Sequence, residues 1–130
     1  MKDKSTFLIN DDVFNDMIRS VKSYEDVIVL LDKIDNPELL KRQQKLRIVM
    51  KLIKYSQSYH EIINVKNYYV KILQYPLTEK QVGRIIKKLV WASANDQQLR
   101  EAKYYARSKG YLGLYMKYLF SKRMAEIMEA

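Results

Sequence analysis

The sequence predicts an all-α protein: a single compact helical domain of six or seven helices. Three observations carry that prediction. Only three Gly and two Pro interrupt the 130 residues, which disfavours turn-rich β architecture. Apolar residues recur at spacings of three and four along most of the chain. Ser, Thr or Asn repeatedly precedes such a stripe, often with an acid or amide three residues on. A chain of this length can bury roughly two-thirds of its unfolded surface around one core without crosslinks. One domain over 1–130 is expected, with an acidic helical pair at about 11–34 and a basic remainder at about 37–130.

Ser5 to Ile9 reads as a short apolar-leaning lead-in that pins the terminus onto the body. Asn10 then caps a first helix near 11–22, with Asp11 and Asp12 in its first turn and Val13, Phe14, Met17, Ile18 and Val21 as its stripe. Ser23 and Asp26 form a variant capping box that opens a second helix to about 34. Asp35-Asn36-Pro37 is a turn, with Asn36 capping and Pro37 at the first helical position of a long third helix over 37–56. Leu39, Leu46, Val49, Met50 and Ile53 line one side of it, and Ile48 and Leu52 another.

Ser58 and Glu61 cap a fourth helix over 59–74 with Ile62, Val65, Tyr69, Ile72 and Leu73 inward. The competing reading there is a hairpin turning at Lys66-Asn67. Thr78 and Gln81 open a fifth helix whose Val82, Ile85, Ile86 and Leu89 face the core. Gly83 inside it costs about 1 kcal/mol relative to Ala and marks a close helix contact. Asn95 caps a sixth helix with Leu99, Ala102, Tyr105 and Ala106 inward, and Gly110 stops it. The last segment, 111–128, is apolar most of the way round. It is expected to be a buried core helix or half of a homodimer or protein-partner interface. The third and last helices are expected to be the most buried.

Composition excludes several functions. Cysteine is absent, which removes disulfides, thiolate zinc sites and cysteine nucleophiles together. His60 stands alone, and Gly83, Gly110 and Gly113 are isolated, so neither a metal set nor a phosphate-cradling loop is recognisable. Asp11, Asp12, Asp16, Glu25 and Asp26 read as caps and first-turn acids. A non-enzymatic protein with no cofactor and no metal is expected. The N-terminus lacks a signal-peptide run and no window is long and apolar enough for a membrane span, so a cytoplasmic, membrane-free protein is expected. Lys, Ile, Asn and Tyr make up 46 of the residues, all with A/T-rich codons, which points toward low-GC bacteria, their phages or mobile elements.

The strongest functional signal is charge. Residues 1–40 hold 5 Lys/Arg against 9 Asp/Glu, while 41–130 hold 19 against 6, so a head of −4 precedes a remainder of +13. Such a balance favours a polyanionic partner. The candidate nucleic-acid-binding residues are Lys80, Arg84, Lys87 and Lys88 on the fifth helix and Arg100, Lys103, Tyr104 and Arg107 on the sixth. Cations at helical spacing meet phosphates and Tyr104 can stack on a base, so DNA or RNA is the expected partner. A helix-turn-helix is disfavoured, because the 92–95 connection lacks the turn glycine. The alternative is a protein-binding adaptor or inhibitor acting through 111–128 and the acidic N-terminal helices.

Overall fold

The computed structural model describes residues 10–129; the predicted lead-in at Ser5 to Ile9 lies outside them. Among the described residues there are seven helices and no strand, so the all-α expectation holds. They are α1 (Asp11–Arg19), α2 (Tyr24–Asp32), α3 (Arg42–Tyr55), α4 (59–72), α5 (Glu79–Ala92), α6 (Asp96–Ser108) and α7 (Leu114–Glu129). A 3-10 turn, Pro37–Leu39, precedes α3.

The chain forms two compact units. Among the described residues, one takes 10–56 together with 64–76, and the other takes 57–63 and 77–129. Counted over the described residues, the first carries 11 Lys/Arg against 8 Asp/Glu and the second 11 against 6, net +3 and +5.

In the first unit α1, α2 and α3 pack on one another. Phe14 and Ile18 of α1 are buried, and so are Val27, Leu30 and Leu31 of α2. Each such side chain contributes about 1.5–3 kcal/mol of burial. Two of the three caps predicted here form: the Asn10 side chain accepts from the Asp12 N–H at 2.7 Å, and Ser23 Oγ from the Asp26 N–H at 3.1 Å, whereas the Asn36 side chain makes no capping hydrogen bond. Asp26 reaches back to the Lys22 N–H at 2.9 Å, one residue before the cap. Both helices end sooner than predicted, at Arg19 and Asp32, and buried Val21 and Ile34 follow as non-helical anchors.

The third helix begins at Arg42 rather than at Pro37, and Gln44 explains why. Its side-chain oxygen accepts from the Lys41 N–H at 3.0 Å, and its amide donates to Asp11 at 3.1 Å. Gln44 is buried and fixes the start of α3, while Leu40, in extended backbone, drops into the core. Ile48 and Leu52 are buried beside Val49 and Ile53, whereas Leu39 and Met50, predicted inward, are exposed.

The hairpin alternative at 62–72 is not formed. Ser58 Oγ accepts from the Glu61 N–H at 3.1 Å, opening α4, which runs to Ile72 and contains a π-helical stretch, Val65–Tyr69. The wider turn places Val65 and Val70, five residues apart, on the buried face with Leu73. Tyr69 and Ile72, predicted inward at normal spacing, are consequently only half-buried.

In the second unit α5 packs along α6, and α7 lies against both. The Thr78 and Gln81 capping box closes in both directions, at 3.2 and 2.9 Å. Asn95 accepts from the Gln98 N–H at 2.9 Å, and Gln98 from the Ala94 N–H at 2.7 Å. Gly110 ends α6 with φ +74; its N–H donates to Arg107 O and the Tyr111 N–H to Ala106 O. That paired pattern needs a left-handed residue, which Gly adopts without strain.

The predicted burial of the last helix is corrected. Met116, Leu119 and Phe120 of α7 are buried, but Leu114, Tyr115, Tyr118 and Met128 are exposed. One face of α7 covers α5 and α6. Its large exposed apolar side chains are Tyr115, Tyr118 and Met128, whose amphipathic or flexible character tolerates the surface, with Leu114 at the first turn as the aliphatic exception.

Candidate nucleic-acid interface

All the predicted cationic residues except Lys88 fall on outward faces of the second unit. Lys80, Arg84 and Lys87 are exposed and share one stripe of α5, at positions i, i+4 and i+7. Trp91 continues the same stripe at i+11, 45% exposed. Inward, Val82, Ile85, Ile86 and Leu89 are held against the core, and this fixes the outward direction of the stripe. Lys88 lies off the stripe and is half-buried; its ammonium is shifted below the usual lysine range, first by burial and then by Arg84.

On α6, Arg100, Lys103, Tyr104 and Arg107 are all exposed, Tyr104 at 73%. Arg100 forms an i, i+4 ion pair with Asp96 at 2.9 Å, and this engages one of the three cations. Exposed pairs of this kind contribute only about 0.3–0.5 kcal/mol, so a phosphate can displace the carboxylate. The opposite flank of α6 faces α4. There the Tyr59 hydroxyl donates to Gln98 O at 3.0 Å and Glu101 at 3.2 Å, and its pKa is pushed up to about 12 by burial first and by Glu101 second.

The two predicted rows are not adjacent: α7 lies between them. On its α5 side, Lys87 Nζ sits 5.3 Å from the Tyr115 ring centre and Lys122 Nζ 5.9 Å from that of Trp91. On its α6 side, Arg100 and Lys103 border a groove of about 480 Å³ with Phe120, Ser121, Met124 and Ala125 of α7 over Leu99. Arg123 anchors α7 at the end of α5 by donating to Ser93 O at 2.7 Å. Comparison with known protein families, with curated proteins and with solved structures finds no match for this chain.

Sequence reasoning missed Trp91, Tyr115, Tyr118 and Lys122. For Trp91 the signal was present, because Lys80, Arg84, Lys87 and Trp91 follow helical spacing on one face. The α7 residues gave none, since their place beside α5 depends on tertiary packing. Among the described residues no group of three His, Asp or Glu side chains could hold a metal ion, and no helix is long and apolar enough to cross a membrane.

The acidic N-terminal helices are partly engaged within their own unit. Asp11 pairs with Lys41 at 3.3 Å and accepts from Gln44, and Asn15 accepts from Arg47. These contacts place the Asp11 carboxylate and the Asn15 amide against the basic start of α3.

Proposed function

We propose that the protein is a non-enzymatic nucleic-acid-binding or nucleoprotein-associated factor that grips the phosphate backbone with little sequence preference. The observation that supports this reading is the exposed stripe of Lys80, Arg84 and Lys87 on α5, flanking α7 opposite Arg100, Lys103 and Arg107 of α6. Cations on rigid helices neutralise phosphates and release counterions, and contacts of that kind position a nucleic acid without reading its bases.

A salt-titrated binding panel of single- and double-stranded DNA and RNA tests it. With about five to seven phosphates contacted on a duplex, log K falls against log salt with a slope near −4.5 to −6. For single strands the corresponding slope is about −3.5 to −5. Absence of binding to every nucleic acid at low salt removes the proposal, and so does an affinity indifferent to salt.

A second reading has its own support. The α6–α7 groove joins apolar Leu99, Phe120 and Met124 to the cations of Arg100 and Lys103, which suits an acidic amphipathic segment of a protein partner. Under that reading Met124→Asp abolishes activity, while charge reversal at Lys80 and Arg84 is tolerated.

A further inference from the structure

We infer that the ridge between α5 and α7, built on Trp91, Tyr115 and Tyr118 with Lys87 and Lys122, is a stacking platform for unpaired bases, so that the nucleic acid it takes is single-stranded. This rests on the nucleic-acid reading above and narrows it to one strand state and one surface.

Three large aromatic side chains stand exposed along the ridge: Trp91 at 45%, Tyr115 at 60% and Tyr118 at 59%. They are not isolated. Lys87 and Trp91 are one turn apart on α5; Tyr115, Tyr118 and Lys122 follow at spacings of three and four on α7. The two helices exchange lysines, the α5 lysine lying over the α7 tyrosine and the α7 lysine over the α5 tryptophan. Met116, Leu119 and Phe120 pin α7 from beneath and Arg123 holds it to Ser93, so the ridge rests on a rigid support.

A lysine ammonium over an exposed ring is a replaceable contact, worth little beside a stacked base. A single strand supplies both partners of an exchange. Its phosphate takes the ammonium of Lys87 or Lys122, and its base takes the ring face that the ammonium leaves. Lys80 and Arg84 extend the same stripe of α5 for about 16 Å from Trp91, giving the backbone a cationic track beyond the stacked bases. A duplex meets only the charges, because its bases are stacked on one another and present no face.

Trp91 is the chain's single tryptophan, so its emission reports on the ridge directly. The experiment titrates the full chain with an oligothymidylate, an oligouridylate, a duplex of the same length, heparin and polyglutamate. The expected result is quenching of Trp91 emission by the single strands but not by the duplex, heparin or polyglutamate. Trp91→Ala and Tyr115→Ala each weaken single-strand affinity about tenfold while leaving duplex affinity within twofold. Trp91→Phe retains most of the affinity, and circular dichroism confirms that each variant is folded. If single strands bind without quenching, or Trp91→Ala and Tyr115→Ala bind them as the parent does, the ridge proposal falls while the phosphate-binding reading stands. Equal quenching by heparin reduces the ridge to a charge site and overturns the proposal. Quenching by polyglutamate alone, or no binding to any nucleic acid, overturns both readings.

Discussion

Tyr111 closes over Gly83 from the connection between α6 and α7. A Cβ built on Gly83 would stand 3.2 Å from Tyr111 Cε1, and the ring cannot easily withdraw. Its hydroxyl donates to Glu79 O and its backbone N–H to Ala106 O, so both ends of the residue are held. Gly83→Ala is expected to lower stability despite the gain of about 1 kcal/mol in helix propensity. In a Tyr111→Ala background the same substitution should raise stability by about 1 kcal/mol. Denaturant unfolding of the four proteins checks this, and an identical effect of Gly83→Ala in both backgrounds would refute it.

Gln74 carries the other left-handed cap. With φ 53 it ends α4 in the paired pattern of Gly110: its N–H donates to Lys71 O and the Tyr75 N–H to Val70 O. A non-glycine residue pays for that conformation, by about 1 kcal/mol. Gln74→Gly should therefore stabilise the protein by about 0.5–1 kcal/mol, read as a higher urea midpoint at unchanged slope. A lower midpoint would mean that the Gln74 side chain makes a compensating contact.

How far the chain was legible follows from the range of the forces involved. Capping is local, so Asn10, Ser23, Ser58, Thr78 and Asn95 could each be placed from their neighbours in sequence, and each accepts the expected backbone N–H. Where a helix ends depends on contacts from elsewhere. Gln44 starts α3 late partly because it reaches Asp11, more than thirty residues away, and no local pattern encodes that bond. The π stretch in α4 likewise answers to the core that Val65 and Val70 both enter. For the candidate interface, the cations and their outward faces were legible from periodicity. The aromatic half was not, because Tyr115 and Lys122 reach α5 only through the docking of α7.

Tyr59 links α4 to α6 through a hydroxyl that must stay protonated to donate to Gln98 O and Glu101. Its folded pKa, about 12, lies above the ordinary tyrosine value of 10.0. A pKa raised on folding gives stability that is present in full below pH 10 and is lost as the pH climbs through 12, where the unfolded chain ionises first. Tyr59→Phe should cost about 1 kcal/mol at neutral pH. It should also flatten the alkaline decline between pH 10 and 12. Thermal melts across that window compare the two proteins; parallel declines would show that the alkaline loss arises at other tyrosines.

Charge reversal separates the two basic rows. Lys80→Glu with Arg84→Glu removes the cationic track of α5, whereas Arg100→Glu with Arg107→Glu strikes a row in which Arg100 is already paired with Asp96. Since α7 lies between the rows, a strand following α5 meets the first pair and not the second. Binding to single strands should fall at least tenfold for the α5 pair and less for the α6 pair, with the salt slope reduced by about 1.4 in the α5 variant. All four side chains are exposed, so surface changes of this kind leave stability within about 0.5 kcal/mol per site and unfolding is not a competing explanation. Equal losses from both pairs would place the strand across α7 rather than along α5, and no loss from either would remove the phosphate-binding reading.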